Sequence, residues 1–146
     1  MNPIRIAKLD HVVLRVADIE KSIHFYRDIL GCPEKRRKEE AGLYQYQAGA
    51  SMIDLVPLDS PGGKRSGYGP PDQGRNMEHF ALTVEDFDED SLRAYLAGHG
   101  ITPTKAGRRF GADGYGPSIY FKDPDGNEVE LKGPSEKIDT GRIRTD

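Results

Sequence analysis

The sequence predicts an α+β fold made of two tandem βαβββ modules, and three observations predict it. A strand-like stretch recurs: Leu9-Asp10-His11-Val12-Val13-Leu14-Arg15-Val16 is echoed by Met77-Glu78-His79-Phe80-Ala81-Leu82-Thr83-Val84, with an apolar residue, an acid, His, Leu and Val at matching offsets. Each copy is followed by one helical pattern and then three short strand patterns. Each half closes on a strand that carries a carboxylate, Asp54 interrupting the apolar 51–57 and Glu130 within 127–132, where Glu128, Glu130 and Lys132 alternate with Val129 and Leu131. Module one therefore spans 7–58, a linker 59–76, module two 77–133 and a polar tail 134–146.

Alternation with period two gives each first strand two faces. Val12, Leu14 and Val16 share one face, with His11, Val13 and Arg15 on the other; in the repeat, Phe80, Leu82 and Val84 oppose His79, Ala81 and Thr83. Each His projects from the face opposite the apolar stripe. Asp18 is a good N-cap for a helix over 19–30, where Ile19, Ile23, Tyr26 and Leu30 make one apolar stripe. Gly31 and Pro33 stop it, and His24, off the stripe, is expected to be solvated. The charge run Glu34-Lys35-Arg36-Arg37-Lys38-Glu39-Glu40 suits a solvent-facing edge strand. Strands follow at 43–47 and 51–57. In the latter, Met52, Asp54 and Val56 oppose Ile53 and Leu55, so a carboxylate interrupts a greasy strand and needs a partner.

The Gly- and Pro-rich stretch 59–76 reads as a linker. In the second half, Asp86 or Asp88 can cap a helix carrying Phe87, Leu92, Tyr95 and Leu96, ended by Gly98 and Gly100. A short strand over 101–105 leads into a Gly-rich loop, 106–116, containing Arg108 and Arg109. The strand 117–122 puts Ser118 and Tyr120 on one face, Asp123-Pro124-Asp125-Gly126 is a hairpin turn, and 127–132 is the last strand.

Bulk properties narrow the partners. The 146 residues carry a net charge of -3, with pI near 5.8, which gives no reason to expect nucleic acid or an anionic membrane. No apolar run approaches the ~20 residues of a membrane span, and residues 1–10 lack a signal-peptide core, so a cytoplasmic setting is expected. Cys32 is the only cysteine, which precludes an intrachain disulfide. It follows a predicted helix C-terminus, where the dipole opposes a thiolate, and no catalytic role is expected of it.

His11, Asp54, His79 and Glu130 are related by the internal repeat, and unrelated core histidines have no reason to recur in register with acids. Two imidazoles and one or two carboxylates suit a divalent first-row ion. Four protein ligands fit Zn, Ni or Co as a Lewis acid, and two His with one carboxylate is the set of non-haem Fe(II) oxygenases. Mn remains possible for the same donors.

The duplicated module, the two acid-His-x-x-Leu-x-Val strands and the run Asp123-Pro124-Asp125-Gly126-x-x-Val129-Glu130-Leu131 resemble the vicinal oxygen chelate superfamily over about 7–133. That family includes glyoxalase I, bleomycin-binding proteins, extradiol dioxygenases and fosfomycin thiol transferases. The wording of 116–133 is most similar to glyoxalase-domain proteins of undefined activity. The resemblance implies a curled eight-stranded mixed sheet around a central metal site, a small-molecule substrate, and a homodimer.

Glyoxalase I-like members imply His11, Asp54, His79 and Glu130 as metal ligands, with Glu130 also moving a proton on a glutathione or other thiol adduct. Their usual residue at Asp54 is Glu. Arg15 and Arg75 resemble their carboxylate-binding arginines, Arg108 is a further candidate for a substrate anion, and Ser118 and Tyr120 face substrate. Leu58 and Tyr120 depart from their usual Asn and Phe. Extradiol dioxygenases would use His11, His79 and Glu130 with Tyr120, but they need a further acid–base His that His24 is wrongly placed to supply. Fosfomycin thiol transferases share those three ligands, Ser118 and Tyr120, yet place Thr at Val13 and Arg at Asp139. Antibiotic-sequestering members generally lack the metal ligands. The resemblance thus favours glyoxalase-like lyase or isomerase chemistry, with ring cleavage next and thiol transfer or sequestration after it.

Overall fold

A computed structural model describes residues 1–136. Asp139 and the polar stretch beyond residue 136 lie outside the described residues. The chain divides into two compact units, one of Met1–Asn76 with Asp123–Gly126, the other of Met77–Lys122 with the residues from 127 onward. The fold is α+β, with a βαβββ module in each half. The eight strands hydrogen-bond as two mixed sheets of four rather than as one continuous sheet.

In the first unit, β1 (His11–Val16) leads to α1 (Ile19–Ile23), then β2 (Glu34–Lys38), β3 (Leu43–Ala48) and β4 (Ser51–Pro57). The strand order is β1-β4-β3-β2, with β1 and β4 parallel because a helix crosses between the two halves of the sheet. The Asp18 side chain accepts the Lys21 N–H and so caps α1. The helical turn widens to a π turn over His24–Ile29, closed by Leu30 N–H to the Phe25 carbonyl at 2.9 Å. That extra residue per turn rotates the buried stripe, so Phe25 and Ile29 are buried with Ile23 and Tyr26, where straight helical spacing predicts Leu30. Being central, β4 buries both faces: Ile53 and Leu55 enter the core on one side and Asp54 is buried on the other. The all-exposed β2 is the edge strand its charges predict. His24 is exposed and pairs with Asp28, and Cys32 is buried with its thiol pKa raised by burial.

The turn 123–126 packs within this unit. Tyr26 Oη donates to Asp123 Oδ2 at 2.6 Å, Asp125 Oδ1 accepts the Ala17 N–H at 2.8 Å, and Arg75 Nη2 donates to the Asp125 carbonyl at 2.6 Å. Gly126 closes the turn at φ 82, a value that favours glycine. The stretch 59–76 is not wholly irregular: Ser60 caps a short helix, α2 (Pro61–Lys64).

In the second unit, β5 (Phe80–Thr83) is followed by α3 (Glu89–Gly98), β6 (Lys105–Gly111), β7 (Gly114–Lys122) and β8 (Glu128–Lys132), in the order β5-β8-β7-β6. Asp88, not Asp86, caps α3, and Gly100 at φ 73 turns the chain out of it. Ile119, Phe121, Val129 and Leu131 form the buried face with Leu96, each worth ~1.5–3 kcal/mol of transfer free energy. The stretch 106–116 corrects an expectation. It is no loop but a hairpin, with Lys105 to Gly111 laddered against Tyr120 to Gly114. Glycines and arginines carry little strand propensity of their own, and here cross-strand pairing overrides it. Among the described residues no helix is long and apolar enough to cross a membrane.

Candidate metal-binding and catalytic residues

One face of the second sheet gathers chemistry in register. Ala81 pairs with Glu130, Glu130 with Tyr120 and Tyr120 with Lys105; one pleat along, Thr83 pairs with Lys132, Lys132 with Ser118 and Ser118 with Gly107. His79 stands just before the first ladder residue of β5. Its Nε2 lies 3.0 Å from Glu130 Oε2, and its Nδ1 meets the Glu78 carboxylate. Ser118 Oγ donates to the other oxygen of Glu130 at 2.5 Å. Glu130 is buried, and a nitrogen and a carboxylate oxygen this close must share a proton or a cation. Tyr120 packs edge-on to the His79 ring at a centroid distance of 5.4 Å. Burial, reinforced by the Glu130 charge, raises the Tyr120 phenol pKa, with Arg109 opposing. Lys105 Nζ lies 4.5 Å from the Tyr120 ring centroid.

The first unit holds a related pair. His11 Nδ1 lies 2.8 Å from Asp10 Oδ2, so the acid preceding each His engages the same ring nitrogen in both repeats. In both repeats that turns Nε2 away from the preceding acid, in His79 toward Glu130, the arrangement by which outer carboxylates orient ligating histidines. The hydrogen bond to Asp10 raises the His11 pKa, and the charge of Asp54 adds to it. Asp54 pairs across the ladder with Val13 and Gln45. Its Oδ2 accepts Gln45 Nε2 at 2.9 Å, while its Oδ1 is buried without any hydrogen-bond partner. An orphaned carboxylate oxygen in an apolar strand is costly and fits a cation better than a structural acid. Among the described residues, no group of three or more His, Cys, Asp or Glu side chains is placed to hold a metal ion.

The sequence-predicted arginines each contact protein groups. Arg15 donates to the carbonyls of Gly63, Gly67 and Tyr68 at 3.2, 2.8 and 2.6 Å, strapping down the segment after α2. Arg75 holds the turn at Asp125, and Arg108 pairs with Glu136 and stacks over Tyr115. Sequence reasoning assigned no role to Arg109, Lys105 or Lys132: Arg109 fell in a stretch read as loop, and Lys105 and Lys132 end strands whose ladder partners parity alone does not name.

The family model of the Glyoxalase/Bleomycin resistance protein/Dioxygenase superfamily matches residues 8–131. The chain belongs to that superfamily. Within it, the chain is 34% identical to the glutathione transferase FosA of Serratia marcescens, over 84% of this chain and 78% of that protein. It is 30% identical to a probable lactoylglutathione lyase of a Synechocystis strain, over 88% of this chain and 97% of the other. An integron cassette protein from Vibrio cholerae shares the superfamily's fold with this chain at a TM-score of 0.68 and 30% identity, covering 90% of this chain and 98% of that one.

Proposed function

We propose that the chain is a divalent-metal-dependent enzyme of the vicinal oxygen chelate type, with glyoxalase-like lyase or isomerase chemistry on a small substrate bearing two neighbouring oxygens. The observation that carries this reading is the unpartnered buried Oδ1 of Asp54, taken with the bare approach of His79 Nε2 to Glu130 Oε2. His11, Asp54, His79 and Glu130 would hold the ion, a nitrogen–oxygen donor set suited to Zn, Ni, Co, Fe or Mn. When bound, such an ion supplies Lewis acidity to the substrate oxygens.

The chain's own groups do the rest. Ser118 ties down Oε1 of Glu130, so Oε2, the oxygen that faces His79 Nε2, would be the one that takes a proton from one substrate carbon and returns it to the next once it is released from that contact. Asp10 and Glu78 fix the imidazoles. Burial keeps the Tyr120 phenol protonated, so it donates a hydrogen bond to a substrate oxygen rather than acting as a base. The likeness to a lactoylglutathione lyase supports a glutathione or other thiol adduct as substrate; a cytoplasmic homodimer is part of the same proposal and has no support from that likeness.

The paired Ser118 and Tyr120 beside Glu130, with the FosA likeness, favour metal-dependent thiol transfer as a second reading. Metal-supplemented protein incubated with methylglyoxal and a thiol separates the two. Thioester formation that depends on Glu130 supports the lyase reading. No thioester, with thiol consumed against an epoxide panel, replaces it by transfer, and oxygen uptake with catechols would overturn both.

A further inference from the structure

We propose that the second sheet carries an oxyanion-binding subsite, built from Lys132, Arg109 and Ser135 over a glycine floor, which takes a carboxylate or phosphoryl group on the substrate. Lys132 is only 7% exposed, yet its ammonium has no hydrogen bond or ion pair with any other described residue. Lysines are seldom covered this far along the stem, and here solvent still reaches the ammonium, which leaves it open to an incoming anion. Its side chain lies across the sheet where Gly111 and Gly116 leave room. A Cβ on Gly111 would meet Lys132 Cε at 2.7 Å, and one on Gly116 would meet Lys132 Nζ at 2.9 Å.

Two further groups border the same face of the sheet. Ser135 Oγ is buried without a hydrogen-bond partner and stands 3.6 Å from where a Gly114 Cβ would be, on the residue paired with Gly111. Arg109 pairs in register with Gly116 and folds its guanidinium back over Gly107, whose Cβ would meet Nη1 at 2.8 Å. It forms no ion pair among the described residues; its Nη1 donates to the Arg108 carbonyl at 2.9 Å, and its guanidinium lies 5.7 Å from the Tyr120 ring centroid. The carbonyls of Gly133 and Pro134 border the same spot above Gly116, but they bring no charge to neutralise the ammonium. Two uncompensated cations and a spare hydroxyl make a cradle for an anion.

Lys132 lies two residues beyond Glu130 on the same strand face and pairs with Ser118. The subsite therefore adjoins the groups assigned to proton transfer. The inference rests on the proposed function only in naming the anion as part of that substrate.

The test uses chelator-treated full-length protein, titrated calorimetrically with inorganic phosphate and, in a second arm, with malonate. Saturable binding of either probe, weakened at least about tenfold in Lys132→Met and in Arg109→Gln and largely restored in Lys132→Arg, supports the subsite. The tighter probe names the head group. Binding unchanged in both loss-of-charge variants, or no saturable binding of either probe to the native chain, overturns it. Should Lys132→Met fail to fold, Arg109→Gln and Ser135→Ala decide by the same criterion. Metal uptake is measured alongside: variants that lose the anion and keep the metal support the subsite, whereas native protein that binds anion but no metal retains it and removes the functional proposal instead.

Discussion

Asp54 is the residue at which stability and proposed function pull apart. Its carboxylate is buried with one oxygen satisfied and one orphaned. Replacing it with Asn removes the buried charge, so Asp54→Asn is expected to hold or raise the stability of metal-free protein by ~0.5–1.5 kcal/mol in urea unfolding. The same change should weaken metal binding at least about tenfold. A clear loss of stability with metal affinity intact would make Asp54 a structural acid. Asp10 and Glu78 make a parallel prediction: Asp10→Ala and Glu78→Ala each lower metal affinity by about 10- to 100-fold, while circular dichroism of the fold stays unchanged. The acid-His repeat in the sequence pointed at the four candidate ligands, because period-two alternation settles which face a side chain takes. The same parity could not show that Arg15, Arg75 and Arg108 are occupied by carbonyls and a carboxylate distant in sequence. Guanidinium reach is set by packing, which leaves no periodic trace.

At the scale of elements, the turn 123–126 and the segment after β4 are the places where small changes should show. Tyr26→Phe removes the buried bond from Tyr26 Oη to Asp123 and should cost ~1.5–3 kcal/mol. Burial and the Asp123 charge hold the Tyr26 phenol pKa well above its usual value. The folded state therefore keeps its proton where the unfolded chain gives it up. The contribution is complete below about pH 10 and falls as pH rises further. The stability gap between native protein and Tyr26→Phe should stay flat to that point and narrow above it; a gap that widens in alkali would refute the assignment. In α2, a Cβ on Gly63 would meet the Pro57 carbonyl at 2.0 Å, a contact with backbone that cannot yield. Gly63→Ala should lower stability by ~1–3 kcal/mol and loosen the Arg15 strap, read as faster amide exchange over 63–68. The strands at 51–57 and 117–122 were legible because β-branched and aromatic residues alternate there. The 106–116 hairpin was not, since its glycines are placed for the close approach of Lys132 and Arg109 side chains rather than for strand propensity.

For the whole molecule, the internal repeat made the tandem modules legible. It could not show that the strands divide into two hydrogen-bonded sheets of four, because pairing between strands depends on ladder partners far apart in sequence. Superfamily membership fixes the scaffold, and scaffold alone does not fix the reaction. Each half contributes one His and one carboxylate to the donor set proposed above. The decisive measurement is elemental analysis of protein purified without chelator, followed by titration with Zn, Ni, Co, Fe and Mn, on the native chain and on His79→Ala. The proposed metal site requires uptake approaching about one equivalent per chain in the native protein and its loss in the variant. Less than about a tenth of an equivalent, with no uptake of any of these ions on titration, would contradict it.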